Sequence, residues 1–362
     1  MGNLRSPKGS TSWGLVLFLT LVLAMLAQTA GAAAVPAAPA AFSGVGAKAY
    51  AMGGAFVAIA DDLSGIYWNP AGLAATNFEI NVSLGGFDLA HFNTFSQLAT
   101  DPGSWTGSTS LEMVGLAGVG VSGFALGALV DGGANISVPS PGEADVSGTY
   151  GNELILAGGK KIDIKGFPGD VSVGASARKV SRQAFDLEAS VDQGEGTRTT
   201  VTESYRGTGY LLDVGMMYSA GGVRLGIVGK NLLGTLDWSG DTTTEVQSLL
   251  DPDDVTTSSI SSSWTEQPAQ LFSAGLSVRS QTLGLLLAAS VTSTGEVRYG
   301  LQRDMLGSLV SLRLGQIQPL GAPAVTTAGV GINFMGLHTD VAAARSSAFK
   351  GYKLMLTGGI SF

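Results

Sequence analysis

Apolar and polar side chains alternate one by one along much of this chain. Phe78-Glu79-Ile80-Asn81-Val82-Ser83-Leu84 places an apolar residue at every second position and Glu, Asn or Ser between them. That period of two belongs to a β-strand with one apolar face. Tyr210, Leu212, Val214, Met216 and Tyr218 repeat it with an aromatic residue at each end, as the interfacial girdles of membrane strands require. Val223/Leu225/Ile227, Phe272/Ala274/Leu276/Val278, Leu283/Leu285/Leu287 and Ala328/Val330/Ile332/Phe334 follow the same rule. The pattern predicts fourteen strands, over 77–88, 111–119, 123–131, 150–161, 170–181, 208–219, 222–232, 269–279, 283–293, 296–304, 308–316, 324–334, 337–345 and 351–362. Each is close to the ~10 residues that a tilted strand needs to cross a bilayer.

The connections carry more weight than any one strand, because a soluble sandwich alternates too. Long polar connections follow odd-numbered strands, at 89–110, 132–149, 182–207 and 233–268. Even-numbered strands are followed by short turns such as Ala220-Gly221, Ser280 to Thr282 and Met335-Gly336, the longest being Ile162 to Gly169. Long extracellular loops and short periplasmic turns mark bacterial outer-membrane barrels, and an even strand count returns both termini to the periplasm. The later loops, 294–295, 317–323 and 346–350, are short on both sides, so the asymmetry belongs to the first eight strands. The fold class expected is all-β: a transmembrane antiparallel β-barrel of about fourteen strands over 76–362. Tyr352, Leu354, Leu356, Gly358, Ile360 and the terminal Phe362 share one face of the last strand. That ending resembles the C-terminal strand of outer-membrane proteins, which implies Phe362 as the signal read by the barrel-assembly machinery.

Composition agrees. Hydrophobic residues make up 45% of the 362 and charged residues only 13%, against roughly 25% charged in average soluble proteins; mean hydropathy is +0.29. The one apolar run approaching membrane length is N-terminal. Arg5 and Lys8, the apolar stretch Trp13 to Ala27 and Ala30-Gly31-Ala32 read as the three regions of a secretory signal peptide over 1–32. Residues 33–42 read as an extended leader. There is no cysteine, so neither disulfides nor lipoprotein acylation follow export. Without Arg5 and Lys8, 18 basic residues face 28 acidic ones, a net charge of −10. That balance argues against nucleic acid as a partner, because phosphate contacts need clustered Lys and Arg.

Residues 43–75 break the alternation. Small residues dominate from Ser43 to Asp62, including Gly53 and Gly54, so backbone can approach backbone. Asp61-Asp62 reads as a capped or closing turn. Asn69-Pro70 reads as a helix start, with Asn at the N-cap, Pro at the first helical position and Gly72 limiting it to little more than a turn. The stretch AMGGAFVAIADDLSGIYWNPAGLA resembles the N-terminal hatch of the outer-membrane long-chain fatty-acid transporter superfamily (FadL/TodX-like), with its Asn-Pro-Ala element at Asn69-Pro70-Ala71. GVGAKAYAMGGAFVAIADD and YLLDVGMMYSAGGVRLGIVGKNLLGTLDW are closer to the PorV/PorQ branch and its uncharacterised relatives. The resemblance implies a fourteen-stranded barrel plugged by 43–75, with Gly53, Gly54, Asp61, Asp62, Trp68, Asn69, Pro70 and Ala71 as hatch residues. It also implies one of two functions. The transporters pass hydrophobic molecules by the hatch and out through a lateral opening at a strand kink. The PorV kind are non-transporting partners in protein secretion or surface attachment. No apolar pair of loop helices stands out here as a capture groove: 233–268 is mostly Thr, Ser and Asp, with Leu249-Leu250 and Trp264 its main apolar residues.

Other chemistry finds little support. Gly44-Val45-Gly46-Ala47-Lys48-Ala49 has the letters of a dinucleotide motif without its preceding strand or βαβ context. His91 and His338 lack metal-ligand spacing, and no metal or cofactor is expected. Asp251, Asp253 and Asp254 read as a solvated acidic loop sooner than a cation site. No nucleophile elbow or Ser/His/Asp set marks an enzyme. Arg178, Asp213, Arg224, Lys230, Arg298 and Arg313 fall on the non-lipid parity of their strands. Arg or Lys at the lipid-facing midplane costs roughly 2–4 kcal/mol, so these face inward whatever the function. The partners expected are outer-membrane lipid, the assembly machinery, and either a hydrophobic small molecule or secretion-system proteins.

Overall fold

The computed structural model describes residues 44–88, 106–140, 143–166, 168–192, 194–251, 253–347 and 351–362. The signal-peptide and leader segments, Ser43, His91 and most of the 89–110 connection lie outside the described residues. Fifteen strands follow an N-terminal plug: β1 (Phe78–Asp88), β2 (Gly107–Val121), β3 (Phe124–Val138), β4 (Ala144–Ile162), β5 (Asp170–Asp192), β6 (Thr197–Ala220), β7 (Val223–Ser248), β8 (Val255–Glu266), β9 (Leu271–Ser280), β10 (Leu285–Thr292), β11 (Val297–Met305), β12 (Val310–Gln318), β13 (Val325–Phe334), β14 (Leu337–Ser346) and β15 (Lys353–Ser361). All pairings are antiparallel and join chain neighbours, except that β1 pairs with β15 and β7 pairs with β6, β8 and β9. The result is a closed barrel of fourteen staves. β8 is not one of them; it pairs with the far half of β7 as a hairpin above the rim. No helix among the described residues is long and apolar enough to cross a membrane.

Side-chain parity falls as the alternation requires. On β1, Ile80, Val82 and Leu84 point outward and are 44–48% exposed, whereas Glu79, Asn81 and Ser83 point inward and are buried. An outer belt of this kind is stable only against lipid, which covers apolar surface that water would not.

Three of the four long polar connections are largely strand, not loop. Residues 182–207 continue β5 and begin β6, 132–149 complete β3 and begin β4, and 233–268 hold the far half of β7 and all of β8. β5, β6 and β7 are 23, 24 and 26 residues long, whereas β9 to β15 have 8 to 10. One wall therefore rises far beyond the other, and its free end is called the tall end here, the opposite one the turn end. These extensions are rich in Thr, Ser and Val, whose branched or small side chains suit a pleated surface even when both faces are wet. Asp192 closes the β5–β6 tip by accepting from the N–H groups of Gly194 and Glu195 at 2.8 and 3.1 Å. Asp251 does the same at the β7–β8 tip, accepting from the N–H of Asp253 at 3.2 Å.

The seam where the chain closes on itself is held at its end by Phe78 and Phe362. Phe78 N–H donates to the Phe362 carbonyl at 3.2 Å and Phe362 N–H donates back at 3.0 Å. Their rings stack with centroids 6.2 Å apart. Removing Phe362 deletes both bonds and the ring pair, each worth roughly 0.5–1.5 kcal/mol. Deletion of Phe362 is expected to lower the temperature at which the folded gel band unfolds, and Phe362→Ala to lower it less, because Ala keeps the backbone bonds.

Candidate functional site

The plug crosses the lumen as a short helix (Ala47–Ala51), a turn of helix (Gly65–Trp68) and a 3-10 helix (Pro70–Ala75). It packs Met52, Phe56, Ile59, Leu63, Ile66 and Leu73 fully out of water. It comes into direct contact with the staves at a set of inward-facing glycines. A Cβ at Gly215 would lie 2.0 Å from Asn69 Oδ1, one at Gly174 2.3 Å from the Pro70 carbonyl carbon, and one at Gly315 2.1 Å from Gly53 N. Gly53 itself has φ +64 and sits so close to β11 and β12 that a Cβ would meet the Gln316 N at 2.6 Å, so neither its conformation nor its space admits a side chain.

Asn69 is the anchor. Fully buried, it caps the 3-10 helix by accepting from Ala71 N–H at 3.1 Å, with Pro70 at the first position. Its Nδ2 donates to the Val57 carbonyl of the plug at 2.9 Å and lies 3.3 and 3.4 Å from the Met216 and Ile227 carbonyls of β6 and β7. One side chain thus ties two parts of the plug to two neighbouring staves. Trp68 donates from Nε1 to the Val45 carbonyl at 2.8 Å, and the Arg298 guanidinium lies 5.3 Å from its ring. Gly54, at φ +70, leaves room for that arginine. Asp62 accepts from Ser64 N–H at 2.9 Å and Oγ at 2.5 Å, closing a turn, while Asp61 pairs with Lys48 at 2.7 Å.

On the turn-end side of the plug lies a polar cavity of about 250 Å³ walled by Lys48, Asp61, Glu79, Arg279, Arg313 and Asp340 among others. Removal from bulk water pulls the Lys48 ammonium down, but the charges of Asp61 and Asp62 outweigh it and leave Lys48 above its ordinary value. The same desolvation pushes Asp61 up, and Lys48, Arg224 and Arg279 pull it below 3.8. Asp62 ends above 3.8, raised by desolvation and by neighbouring Asp61 and Asp340 despite Lys48 and the Ser64 bond.

On the other side of the plug a belt of charge spans β3 to β7. Arg178 binds Glu153 at 2.9 Å and Asp213 at 3.0 Å, and also donates to Asn231. Arg182 binds Glu153 at 2.7 Å and also Asp131. Lys230 sits 3.3 Å over the Tyr67 ring of the plug. Of the six inward charges expected from parity, Arg224, Lys230 and Arg298 touch the plug, whereas Arg178, Asp213 and Arg313 bond to partners on the wall. Each of the six is engaged by a protein group, by a carboxylate, a carbonyl, an amide or a ring.

Two features beyond the belt were missed in the sequence. The first is an aromatic cluster on the inner face of the tall wall. Trp238 and Trp264 stack at 5.8 Å with planes 5° apart, and Tyr205 meets Trp264 edge-on at 5.7 Å. Trp238 fills the space over Gly207, and Tyr205 the space over Gly240; Val180, Leu211 and Leu236 pack beside them. The second is a break in the wall. Leu212 pairs with Leu233 but Val214 with Gly229, so Lys230, Asn231 and Leu232 all bulge opposite Asp213. β7 leaves β9 at Lys230–Leu271 and meets β8 only at Leu236–Glu266. Between those points two side-chain amides replace the ladder: Asn231 Nδ2 donates to the Ala269 carbonyl at 3.0 Å, and Gln270 Nε2 to the Leu232 carbonyl at 3.1 Å. Asn231 at φ 56 and Gly234 at φ 117 supply the turn. The Gly and Asn in GKNLLGT were the available signal, since isolated glycine in a strand marks a bulge.

No protein-family model and no curated protein matches the sequence. Solved structures do match. The Ralstonia pickettii toluene transporter TbuX aligns over 88% of this chain and 98% of its own, with a TM-score of 0.59 and 12% identity. A Pseudomonas aeruginosa FadL homologue aligns over 92% and 100%, again at 0.59 and 12%. The TodX monoaromatic hydrocarbon channel, as a deltaS2 mutant, gives 0.62 at 11% identity over 88% and 98%. The likeness is one of fold. At these identities it places the chain among barrels of that architecture and leaves its cargo to the site.

Asn69→Ala removes the cap and three donor contacts of a buried side chain. Each unsatisfied buried partner costs roughly 1–3 kcal/mol, so the plug is expected to become protease-sensitive while the barrel keeps its heat-modifiable gel mobility. The two aspartates are expected to act oppositely at neutral pH. A carboxyl held below its unfolded pKa adds stability above that unfolded value and loses it as pH falls through the folded one; a carboxyl held above it costs stability once ionised. Asp61→Asn therefore loosens the plug at pH 7, an effect that fades as pH falls below the ordinary aspartate range. Asp62→Asn, whose amide oxygen still accepts from Ser64, tightens it at pH 7. Urea midpoints of plug protection across pH check both signs.

Proposed function

We propose that this chain is an outer-membrane channel for small hydrophobic molecules, with the tall end outside the cell and the termini in the periplasm. Molecules are captured on the Tyr205/Trp238/Trp264 surface and leave sideways through the break in β7. The single observation that carries this reading is the position of that break. It starts level with the charged belt, where Asn231 is held by Arg178 and Asp213, and runs on to Leu236 beside Leu211, so its upper part opens directly onto the aromatic surface. Val223 to Lys230 is about 26 Å of strand, or roughly 20 Å of height at a ~40° tilt. That height falls within an apolar band ~25 Å tall. Leu233, 65% exposed on the outer face, meets lipid there. The route toward the turn end is blocked by the packed plug and leads only to the polar cavity, which offers an apolar solute nothing. The toluene transporters of the same fold support a small hydrophobic cargo.

In this reading the plug sets the break through Lys230. Tyr67 holds the ammonium, the adjacent Asn231 is held by Arg178 and by Asp213, which accepts from its N–H at 2.8 Å. Loosening of the plug frees Asn231 and with it one of the two amide bonds across the gap. Membrane lipid completes the outer wall, and Phe362 at the closing seam is the residue the assembly machinery reads.

Because the chain has no cysteine, a pair introduced at Leu232 and Gln270 is the only one present. Joining it with a short bifunctional thiol linker is expected to abolish uptake of labelled toluene or oleate by cells lacking their own transporter, and cleaving a reducible linker to restore it. Deleting Asn69 to Ala71 is expected to change uptake as well. A folded barrel that admits neither compound, linked or not, would overturn transport. One feature favours a second reading, a non-transporting partner in protein secretion or surface attachment. The tall wall projects past the lipid band with Phe185 and Tyr150 exposed at 44% and 42% on its outer face, and crosslinking from those positions in cells that show no uptake tests it.

A further inference from the structure

Beyond Arg182 the inner face of the tall wall turns acidic. Asp145 of β4 stands directly opposite Glu188 of β5, and Asp186 of β5 directly opposite Glu203 of β6. Like charges in opposed positions repel. Partial burial first, then Asp145, Glu203 and Glu188, hold the Asp186 carboxyl above its ordinary range. Two carboxylates touch the aromatic cluster itself: Tyr205 Oη donates to Glu203 at 2.7 Å, and Trp238 Nε1 to Glu266 at 2.7 Å.

Cations do not balance them. Arg182 is taken up by Asp131 and Glu153. Arg198 and Arg206 lie on the opposite parity of β6 from Glu203 and face outward. On the inner face of β3 to β8, no Lys or Arg lies beyond Arg182 among the described residues. The 89–105 segment, outside the described residues, contains none in its sequence.

We propose that this surface selects hydrophobic molecules carrying a positive charge, with the ring or chain against Trp264 and Tyr205 and the cationic head toward Glu203 and Asp186. The inference rests on the reading of this wall as the capture surface and names its substrate class. An aromatic face attracts a cation through its quadrupole, and a surface of one sign concentrates the opposite one. Trp264, 36% exposed, leaves such a face open. The same carboxylates repel a fatty-acid anion. A neutral hydrocarbon is indifferent to them.

The test uses the folded barrel in lipid nanodiscs and three matched soluble probes: benzyltrimethylammonium, benzyl alcohol and phenylacetate. Binding is followed by tryptophan fluorescence. The cation is expected to bind about tenfold more tightly than the anion at low salt, with the ratio shrinking as salt rises. It should also collapse in a variant carrying Asp145→Asn, Asp186→Asn, Glu188→Gln and Glu203→Gln. Equal binding of cation and anion, or a ratio unmoved by salt, overturns the inference; the salt series needs only the native chain, so it decides the matter even if the variant does not fold. Flux of the same probes into proteoliposomes is read separately. Flux of benzyl alcohol with no charge preference leaves the channel standing and removes the selectivity. Cation-selective binding without flux of any probe removes the channel and leaves the selectivity.

Discussion

The structure depends on direct backbone-to-backbone contact between the plug and the barrel wall. A lumen ringed by ordinary side chains has no room for a segment of more than thirty residues. It is made here by leaving side chains out. Gly174 and Gly215 admit Asn69 and Pro70, Gly226 admits the Val57 carbonyl, and Gly300 and Gly315 admit Met52 and Gly53. These positions lie on strands from both halves of the barrel, so the plug is gripped from opposite sides. Close packing of this kind tolerates no added methyl group without movement, and Asn69 works as a rivet only because Gly215 has no Cβ in its way.

The grip divides the interior into levels of different chemistry. The turn end holds a charged cavity, the middle a packed plug, and above it come paired arginines and carboxylates, then rings. The plug is apolar too but closely packed, so of these levels only the uppermost leaves apolar surface open. The wall breaks at the join between the upper two levels, where Asn231 answers both to the belt inside and to Ala269 across the gap. A ladder bond belongs to a cooperative sheet. A side-chain amide bond can part without unzipping its neighbours.

Most of the barrel was legible from alternation, because lipid on one side and a filled lumen on the other force Ile80, Val82 and Leu84 to face opposite to Glu79, Asn81 and Ser83. The Asn69-Pro70 start and the Asp61-Asp62 turn were legible from local backbone chemistry. The tall wall was not. Strands such as Thr197 to Glu203 meet water on both faces, so no apolar period marks them, and only the richness in Thr and Val remains as a signal. The aromatic cluster was hidden for a related reason. Tyr205, Trp238 and Trp264 come together through strand register, which depends on the bulge at Asn231, and Gly207 and Gly240 acquire meaning only once they stand opposite rings. Lumen charges were placed on the correct face by parity, but their partners, such as Glu153 between Arg178 and Arg182, lie on different strands and had no local mark.

The unequal height of the two walls turns the mouth of the barrel into a half-open trough. In the proposed orientation, a solute falling from the bulk would meet the trough from any direction, but one already adsorbed at the membrane surface would cross the low rim of β9 to β15 and strike the inner face of the high wall. A two-dimensional search along an interface replaces a three-dimensional one through water. Compounds too insoluble to reach a useful concentration in solution accumulate first in the layer that the low rim opens onto.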